Sequence, residues 1–265
     1  MSEAGFSDRN FDDLAHRFRD RIYGGLKGDI RLAVLNRDLA AIVSRESRTL
    51  KIVDAGGGQG HFAMDLAAAG HQVCLADISA QMLEHAAAEV EARHLQKRVT
   101  LLHKPLQALA QMKALQGADL VICHAVLEWL EEPRLALQQL HRLLKPGGHL
   151  SLTFYNRRAL EFRLLQRGSF RQLERNIDED YWGGHPGSLT PQNPLLLEWV
   201  SDWLQEAGFE VICHSGIRCF HDFMTPAIRD KLPAAAIVQK ELEYSQTDPY
   251  RQLARYVHLL CRVPE

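Results

Sequence analysis

One stretch, I-V-D-A-G-G-G-Q-G-H-F (52–62), constrains this chain more than any other. Leu50–Ala55 is short, apolar and rich in β-branched residues, the pattern of a buried strand. Phe62, Leu66 and Ala67 then recur at helical spacing. A strand, a glycine loop and a helix in that order form the opening unit of an α/β fold. The glycines carry no Cβ, so a ligand can approach the backbone of the loop. The helix start adds N–H groups without intrahelical partners and the positive end of a dipole. A simple turn would not need a run of glycines, which costs conformational entropy on folding.

The alternation continues. H-Q-V-C-L-A-D (71–77) reads as a second strand ending in Asp77, and Ser79 is a good N-cap for the helix after it. R-V-T-L-L-H (98–103) and A-D-L-V-I-C-H (118–124) are strands three and four. Pro133 opens a helix to Leu144, K-P-G-G (145–148) closes it, and 148–155 is strand five. Such alternation predicts a parallel, doubly wound sheet with its ligand crevice beyond the carboxyl ends of the strands. Ahead of the first strand, residues 8–47 read as two helices, with Phe11, Leu14, Phe18 and Ile22 marking one and Ile30, Val34 and Leu35 the other. They are placed to cover the mouth of the glycine loop. After residue 155 the rhythm breaks: a basic helix, a turn-rich stretch (180–194), a helix over Leu195–Ala207, a strand from Phe209, a long connection with helical character, and a final strand at 256–263.

Composition narrows the classes. A chain of 265 residues is one large domain or a domain with an insertion, 46% apolar content supports a sizeable core, and a net charge of −2 gives no bulk argument for nucleic acid and none against it. The five cysteines are odd in number and lack C-x-x-C spacing, which speaks against a zinc site or a disulfide framework and for a reducing, cytoplasmic setting. No apolar run approaches the ~20 residues of a membrane span.

The loop alone leaves the ligand open. Gly58, Gly60 and Ala63 satisfy a dinucleotide fingerprint, with Asp77 at the distance expected for a ribose contact; Asp54, Gly56, Gly58 and Gly60 equally fit D-x-G-x-G-x-G, typical of S-adenosylmethionine (AdoMet) methyltransferases. The rest of the chain decides. D-A-G-G-G-Q-G, Asp77, D-L-V-I-C-H-A-V-L-E-W (119–129) and L-K-P-G-G (144–148) together resemble the class I AdoMet-dependent methyltransferases. The outer segments R-N-F-D-D-L-A, I-Y-G-G-L-K-G-D-I-R (22–31), S-L-T-F-Y-N (151–156), R-C-F-H-D-F (218–223) and D-P-Y-R-Q-L-A-R-Y-V-H (248–258) resemble, within that class, the bacterial tRNA 5-carboxymethoxyuridine methyltransferases.

That resemblance implies a Rossmann-like, seven-stranded, mostly parallel sheet with an antiparallel last strand. It implies one domain over 1–265: cap helices (1–48), a cofactor core (49–155) and a substrate side (156–265) with an insert after strand five. It implies AdoMet as methyl donor, S-adenosylhomocysteine as product, and as substrate a tRNA anticodon stem-loop whose wobble uridine bears a carboxylate; no metal or membrane is expected. Gly56, Gly57 and Gly58 would meet the methionine end of the cofactor, Asp77 the ribose hydroxyls, Leu106 the adenine and Arg31 the methionine carboxylate, with Lys27 in the same neighbourhood. His124 would stand at the sulfonium, acting by position rather than by proton transfer. The adenine-binding acid common in methyltransferases is missing from H-K-P-L-Q (103–107), and Gln107 is the substitute on offer. Tyr155, Asn156, Arg157, Arg158, Arg218 and His221, with Asp222, are expected at the crevice mouth, on the modified base or the RNA. Arg163, Arg167, Arg171 and Arg175 recur every four residues as a basic stripe interrupted at Gly168, and Tyr181 and Trp182 are candidate stacking residues. A carboxylate is already ionised at neutral pH, so its methylation requires no general base.

Overall fold

Short apolar runs become strands and the periodic stretches become helices. The computed structural model describes residues 8, 12, 24–43, 48–183, 190–191 and 193–265. The stripe from Phe11 to Ile22 and residues 184–189 of the turn-rich stretch lie outside the described residues. The first half comprises α1 (Gly25–Val43), β1 (Lys51–Ala55), α2 (His61–Ala68), β2 (Gln72–Asp77), α3 (Ala80–Ala92), β3 (Val99–His103), α4 (Leu106–Leu109), β4 (Ala118–His124) and α5 (Pro133–Leu143). The second comprises β5 (Leu144–Tyr155), α6 (Arg157–Gln166), α7 (Phe170–Asp178), α8 (Leu197–Glu206), β6 (Glu210–Ile217), α9 (Pro226–Arg229), α10 (Ala234–Tyr244) and β7 (Tyr256–Arg262).

The seven strands form one sheet in the order β3-β2-β1-β4-β5-β7-β6. β7 runs antiparallel to both of its neighbours, and the first five strands pair in parallel. The order reverses between β1 and β4, which opens the crevice at the carboxyl ends of those strands. Because Tyr155 pairs with Tyr256, and Ile217 with Tyr256, the end of β6 and the start of β7 open onto the same edge. Two apolar layers flank the sheet. Leu106, Leu137, Leu140, Val200 and Leu204 pack one face; Val34, Leu35, Met64, Leu83, Ala86 and Leu160 pack the other.

Local chemistry sets the boundaries. Ser79 caps α3 by accepting from the Met82 amide at 3.1 Å, and Asn156 caps α6 by accepting from Arg158 at 3.0 Å. Pro133 sits in the first turn of α5, where its missing N–H costs nothing. The K-P-G-G segment, expected as a helix-closing turn, instead belongs to β5. Gly147 donates to Val263 at 3.0 Å and Val263 to Gly148 at 2.9 Å, so the segment is a bulge held by the end of the chain. The basic stripe is divided: left-handed Gly168 (φ 65°) separates α6 from α7. No described helix is long and apolar enough to cross a membrane.

Candidate functional site

The glycine loop is tied to β2. The amides of Gly56 and Gly57 both donate to the Ala76 carbonyl, at 2.8 and 3.1 Å. Its glycines are required by space. A Cβ on Gly57 would lie 2.6 Å from Asp54 Oδ2, and one on Gly56, whose φ is 77°, would lie 2.6 Å from Val126 Cγ2. Asp77 accepts from Gly58 N through Oδ2 and from Ser79 N through Oδ1, each at 2.8 Å. The Ile78 amide also favours this carboxylate's charge, so of the about four acceptor positions of an ionised carboxylate about one remains for a ribose hydroxyl. Asp54 lies beneath the loop, 4% exposed. Burial, and then the charge of Asp77, push its carboxyl up to about 7. Burial raises Asp77 as well, against the amides of Ser79 and Gly58 that favour its charge. Bare backbone, a pre-oriented carboxylate and a second buried acid fit a nucleoside cofactor with a cationic tail.

The second component crosses the sheet. His124 Nε2 is 2.8 Å from Ser151 Oγ, which is 3.0 Å from His258 Nε2; His258 Nδ1 is 2.7 Å from Asp38 Oδ2 on α1. Asp38 also accepts from Arg37 Nη2 at 2.7 Å and Nε at 2.9 Å. Burial works against the Asp38 charge, but His258 and these donors hold its carboxyl below the usual range. An ionised Asp38 can only accept, so His258 Nδ1 carries the proton. Burial, followed by His258 and Arg31, keeps the His124 pKa well below its ordinary value, so the ring is neutral. Ala125, next in the chain, is left-handed at φ 57°, strain of the kind that turns up at functional sites.

The third component is a knot of cations and phenols past β5, β6 and β7. The guanidinium of Arg31, 3% exposed, lies 4.4 Å over the Tyr256 ring, with that of Arg218 at 5.5 Å. Tyr155 and Tyr256 meet edge to face with centroids 5.3 Å apart. Arg255 donates to the Tyr155 hydroxyl and, at 2.6 Å, to Asp222. Asp222 also faces Arg218 at 3.1 Å and His221 Nδ1 at 3.0 Å. Burial opposes the Asp222 charge, yet His221 and the two arginines hold its pKa well below the usual carboxylate range. Glu128, 1% exposed, accepts from the Tyr155 amide at 3.1 Å, and burial pushes it up to about 7.

Gly56, Gly57, Gly58, Asp77 and His124 therefore lie along one crevice, and Arg31 reaches the knot beside it. Leu106 opens α4 directly after β3, where it is 6% exposed and joins the apolar core. The other residues expected at the mouth are engaged differently. Asn156 is removed from ligand contact: it is 1% exposed, and its amide donates to the carbonyls of Gln252 and Ala254 while its oxygen caps α6. His221 is 2% exposed and acts through Asp222. Arg157 stacks 4.3 Å over Trp182 and pairs with Asp180, and Arg158 pairs with Glu161 and Glu198. Trp182, 3% exposed, packs inside the insert, whereas Tyr181 is exposed. Gln107 donates at 2.6 Å to Asp8, which also accepts from Glu131 N; Asp12 accepts from the Ser79 hydroxyl at 2.6 Å. Two residues of the leading segment thus contact the rim of the crevice. Sequence reasoning missed Asp38, Ser151, His258, Arg255 and Tyr256. Arg255 and Tyr256 stand in the segment D-P-Y-R-Q-L-A-R-Y-V-H, so their signal was present at segment level.

Comparison with known proteins bears on the family and the fold. Residues 53–150 match a family described as a methyltransferase domain. The tRNA 5-carboxymethoxyuridine methyltransferase of Escherichia coli (strain K12) is 36% identical over 97% of this chain and 97% of its own. The ubiquinone biosynthesis O-methyltransferase of Psychrobacter cryohalolentis is 31% identical, but over 45% of this chain and 50% of its own. Among solved structures, the magnesium protoporphyrin IX methyltransferase of Synechocystis with bound SAH superposes with a TM-score of 0.60 at 20% identity, covering 96% of each chain. A Haloferax volcanii putative methyltransferase complexed with its Trm112 activator gives 0.60 at 16% identity, covering 97% of this chain and 96% of that one. These two likenesses show the fold.

Proposed function

The chain belongs to the tRNA 5-carboxymethoxyuridine methyltransferase family, and we propose on that footing that it esterifies the carboxylate of 5-carboxymethoxyuridine at the tRNA wobble position, with AdoMet as donor and S-adenosylhomocysteine as product. The observation that carries this reading is a likeness that runs through the outer segments as well as the glycine loop, over 97% of the chain. The ubiquinone biosynthesis O-methyltransferases of Psychrobacter cryohalolentis and Vibrio cholerae match 45% and 63% of it.

AdoMet, when bound, supplies a methyl group activated by positively charged sulfur. Asp77 would hold the ribose with the acceptor capacity that the amides of Gly58, Ile78 and Ser79 leave open. Gly56, Gly57 and Gly58 would admit the methionine portion, Arg31 its carboxylate, and Leu106 would lie against adenine. His124 is neutral, so it places no like charge beside the sulfonium, and its ring is oriented by Ser151. The substrate carboxylate, with an ordinary pKa of ~4, is already an anion at neutral pH. The residues therefore bind, align and exclude water; no base and no metal is required. Holding two reactants in line contributes ~7–11 kcal/mol in favourable systems.

The wobble base must leave its stack to reach the crevice, which suits recognition of single-stranded RNA by aromatic faces and arginines. Exposed Phe170 and Tyr181 alternate with exposed Arg167, Arg171 and Arg175 on and around α7, and this face takes the anticodon stem-loop. The cytoplasm, where tRNA is modified, is the place of action. The test is the RNA dependence of turnover. Release of S-adenosylhomocysteine is measured with tRNA from cells lacking this gene, with tRNA from wild-type cells, and with small carboxylates and phenols. Turnover confined to the first sample is expected; turnover on small acids or phenols without RNA overturns the reading.

A further inference from the structure

The crevice must take two carboxylates, that of the methionine portion and that of the nucleotide, and the knot of cations has more positive charge than one anion can match. Lys27, Arg31, Arg163, Arg218 and Arg255 share influence over the same ground: Lys27 feels Arg218 and Arg255, Arg163 feels Arg255, and Arg218 feels Arg31 and Arg255. Asp222 is the carboxylate paired with Arg218 and Arg255, and among the described residues neither Lys27 nor Arg163 has an ion-pair partner. Crowded, half-desolvated cations gain from a bound anion. Consistent with this, burial and neighbouring arginines lower Lys27 and Arg163, and burial lowers Arg218.

Arg218 is built into place. It is left-handed at φ 62°, unusual for a long side chain, and this turn lets its carbonyl accept from Arg255 N at 3.2 Å. The next three amides, of Cys219, Phe220 and His221, all donate to the Glu241 carboxylate at 2.6, 3.1 and 2.7 Å. Glu241 lies fully buried on α10 and so pins the whole loop from below. One guanidinium edge of Arg218 faces Asp222, while its Nε–H has no acceptor among the described residues. An N–H left without a partner in a mostly buried guanidinium is a costly arrangement unless a ligand completes it.

We infer that Arg218, assisted by Lys27, seats the carboxylate of the modified uridine, leaving Arg31 for the carboxylate of the cofactor. This rests on the proposed reaction and specifies its substrate subsite. One carboxylate oxygen accepts from Arg218 Nε–H while the other stays uncovered to attack the methyl carbon. Because Asp222 shares the guanidinium, the donor draws less charge from the nucleophile than an unpaired arginine would. The carbon–sulfur bond breaks as the oxygen–carbon bond forms, the electron pair stays on sulfur, and no proton moves. The ester that results is neutral, so the seat that favoured the acid holds the product weakly.

The test is binding, measured with S-adenosylhomocysteine present, to two synthetic anticodon stem-loops that differ only at the wobble base: 5-carboxymethoxyuridine or 5-methoxyuridine. The wild type is expected to prefer the acid by about tenfold, the scale of a charge-assisted hydrogen bond. Arg218→Gln is expected to reduce that preference to less than about twofold, with affinity for the methoxy loop unchanged. Lys27, exposed in the first turn of α1, can be replaced without disturbing the core, and Lys27→Gln is expected to lower the preference about threefold. Should Arg218→Gln fail to fold, Lys27→Gln decides. Retention of the full preference in the variants overturns the subsite and leaves the reaction standing. A wild type that shows no preference and, when AdoMet replaces S-adenosylhomocysteine, transfers no methyl group to the acid loop overturns both.

Discussion

At the β1–β2 end of the crevice the groups turned toward a ligand are carboxylates and bare backbone; at the β5–β7 end they are guanidinium groups and phenols. Asp54 and Asp77 are two acids under one glycine loop, each raised by burial. Around Tyr155 and Tyr256 the excess is cationic, and Asp222 is held ionised by the arginines it pairs with. The contrast matches the two reactants. One end suits a ligand that carries hydroxyls and positive charge, the other a ligand that arrives as an anion. Between them stands His124, neutral and fixed through Ser151, where a charge of either sign would disfavour one of the partners.

The contrast can be broken from the cationic end. Glu241→Ala removes the acceptor of three amides, two of them buried, and is expected to cost about 4 kcal/mol in chemical denaturation, because each abandoned donor costs about 1–3 kcal/mol. From the acidic end, Gly57→Ala drives a Cβ into Asp54 and is expected to weaken cofactor binding at least about 100-fold by calorimetry, near 3 kcal/mol, while the fold survives. The acid pair also gives a pH signature. A carboxyl at about 7 in the folded chain and about 4 in the unfolded chain binds the extra proton when folded, so its contribution is present at low pH and is lost as pH rises toward 7. Asp54→Asn removes that loss. Its stability advantage over the wild type is expected to grow by about 2–3 kcal/mol between about pH 5 and 8, read from paired denaturation curves.

Smaller effects sharpen the boundary. Ser151→Ala uncouples His124 from His258 and Asp38, and is expected to lower kcat about tenfold with the KM for AdoMet little changed. Replacement of Arg171 and Arg175 by alanine is expected to lower the salt dependence of tRNA binding by about one unit of slope for each phosphate that is no longer neutralised, without altering the preference between acid and methoxy loops.

How much of this was legible in the sequence divides along the same line. The strand–loop–helix units are local: Leu50–Ala55, the four glycines and Asp77 stand within thirty residues of one another, and apolar runs with glycine punctuation specify them. The positions of the loop, Asp77 and His124 at the carboxyl ends of β1, β2 and β4 could therefore be read from spacing and resemblance. The cationic end is assembled from distance. Asp38 and His258 are 220 positions apart, Arg255 and Tyr155 are 100 apart, and Glu241 supports Cys219 from a helix inside what read as a long connection with helical character. No periodicity reports such pairings. Asn156 shows the opposite failure. Its place at the end of β5 suggested ligand contact, but a short polar side chain before a helix answers first to the backbone, and there it caps α6.

The most direct measurement is the identity of the methylated nucleoside. tRNA from cells lacking this gene is incubated with the protein and methyl-labelled AdoMet, digested, and the labelled nucleoside weighed by mass spectrometry. The expected result is the methyl ester of 5-carboxymethoxyuridine, its label removable by mild alkali. Label on a base carbon or ring nitrogen, stable to alkali, or no label in tRNA despite measured AdoMet binding, would contradict a site built to bring a carboxylate to the methyl group.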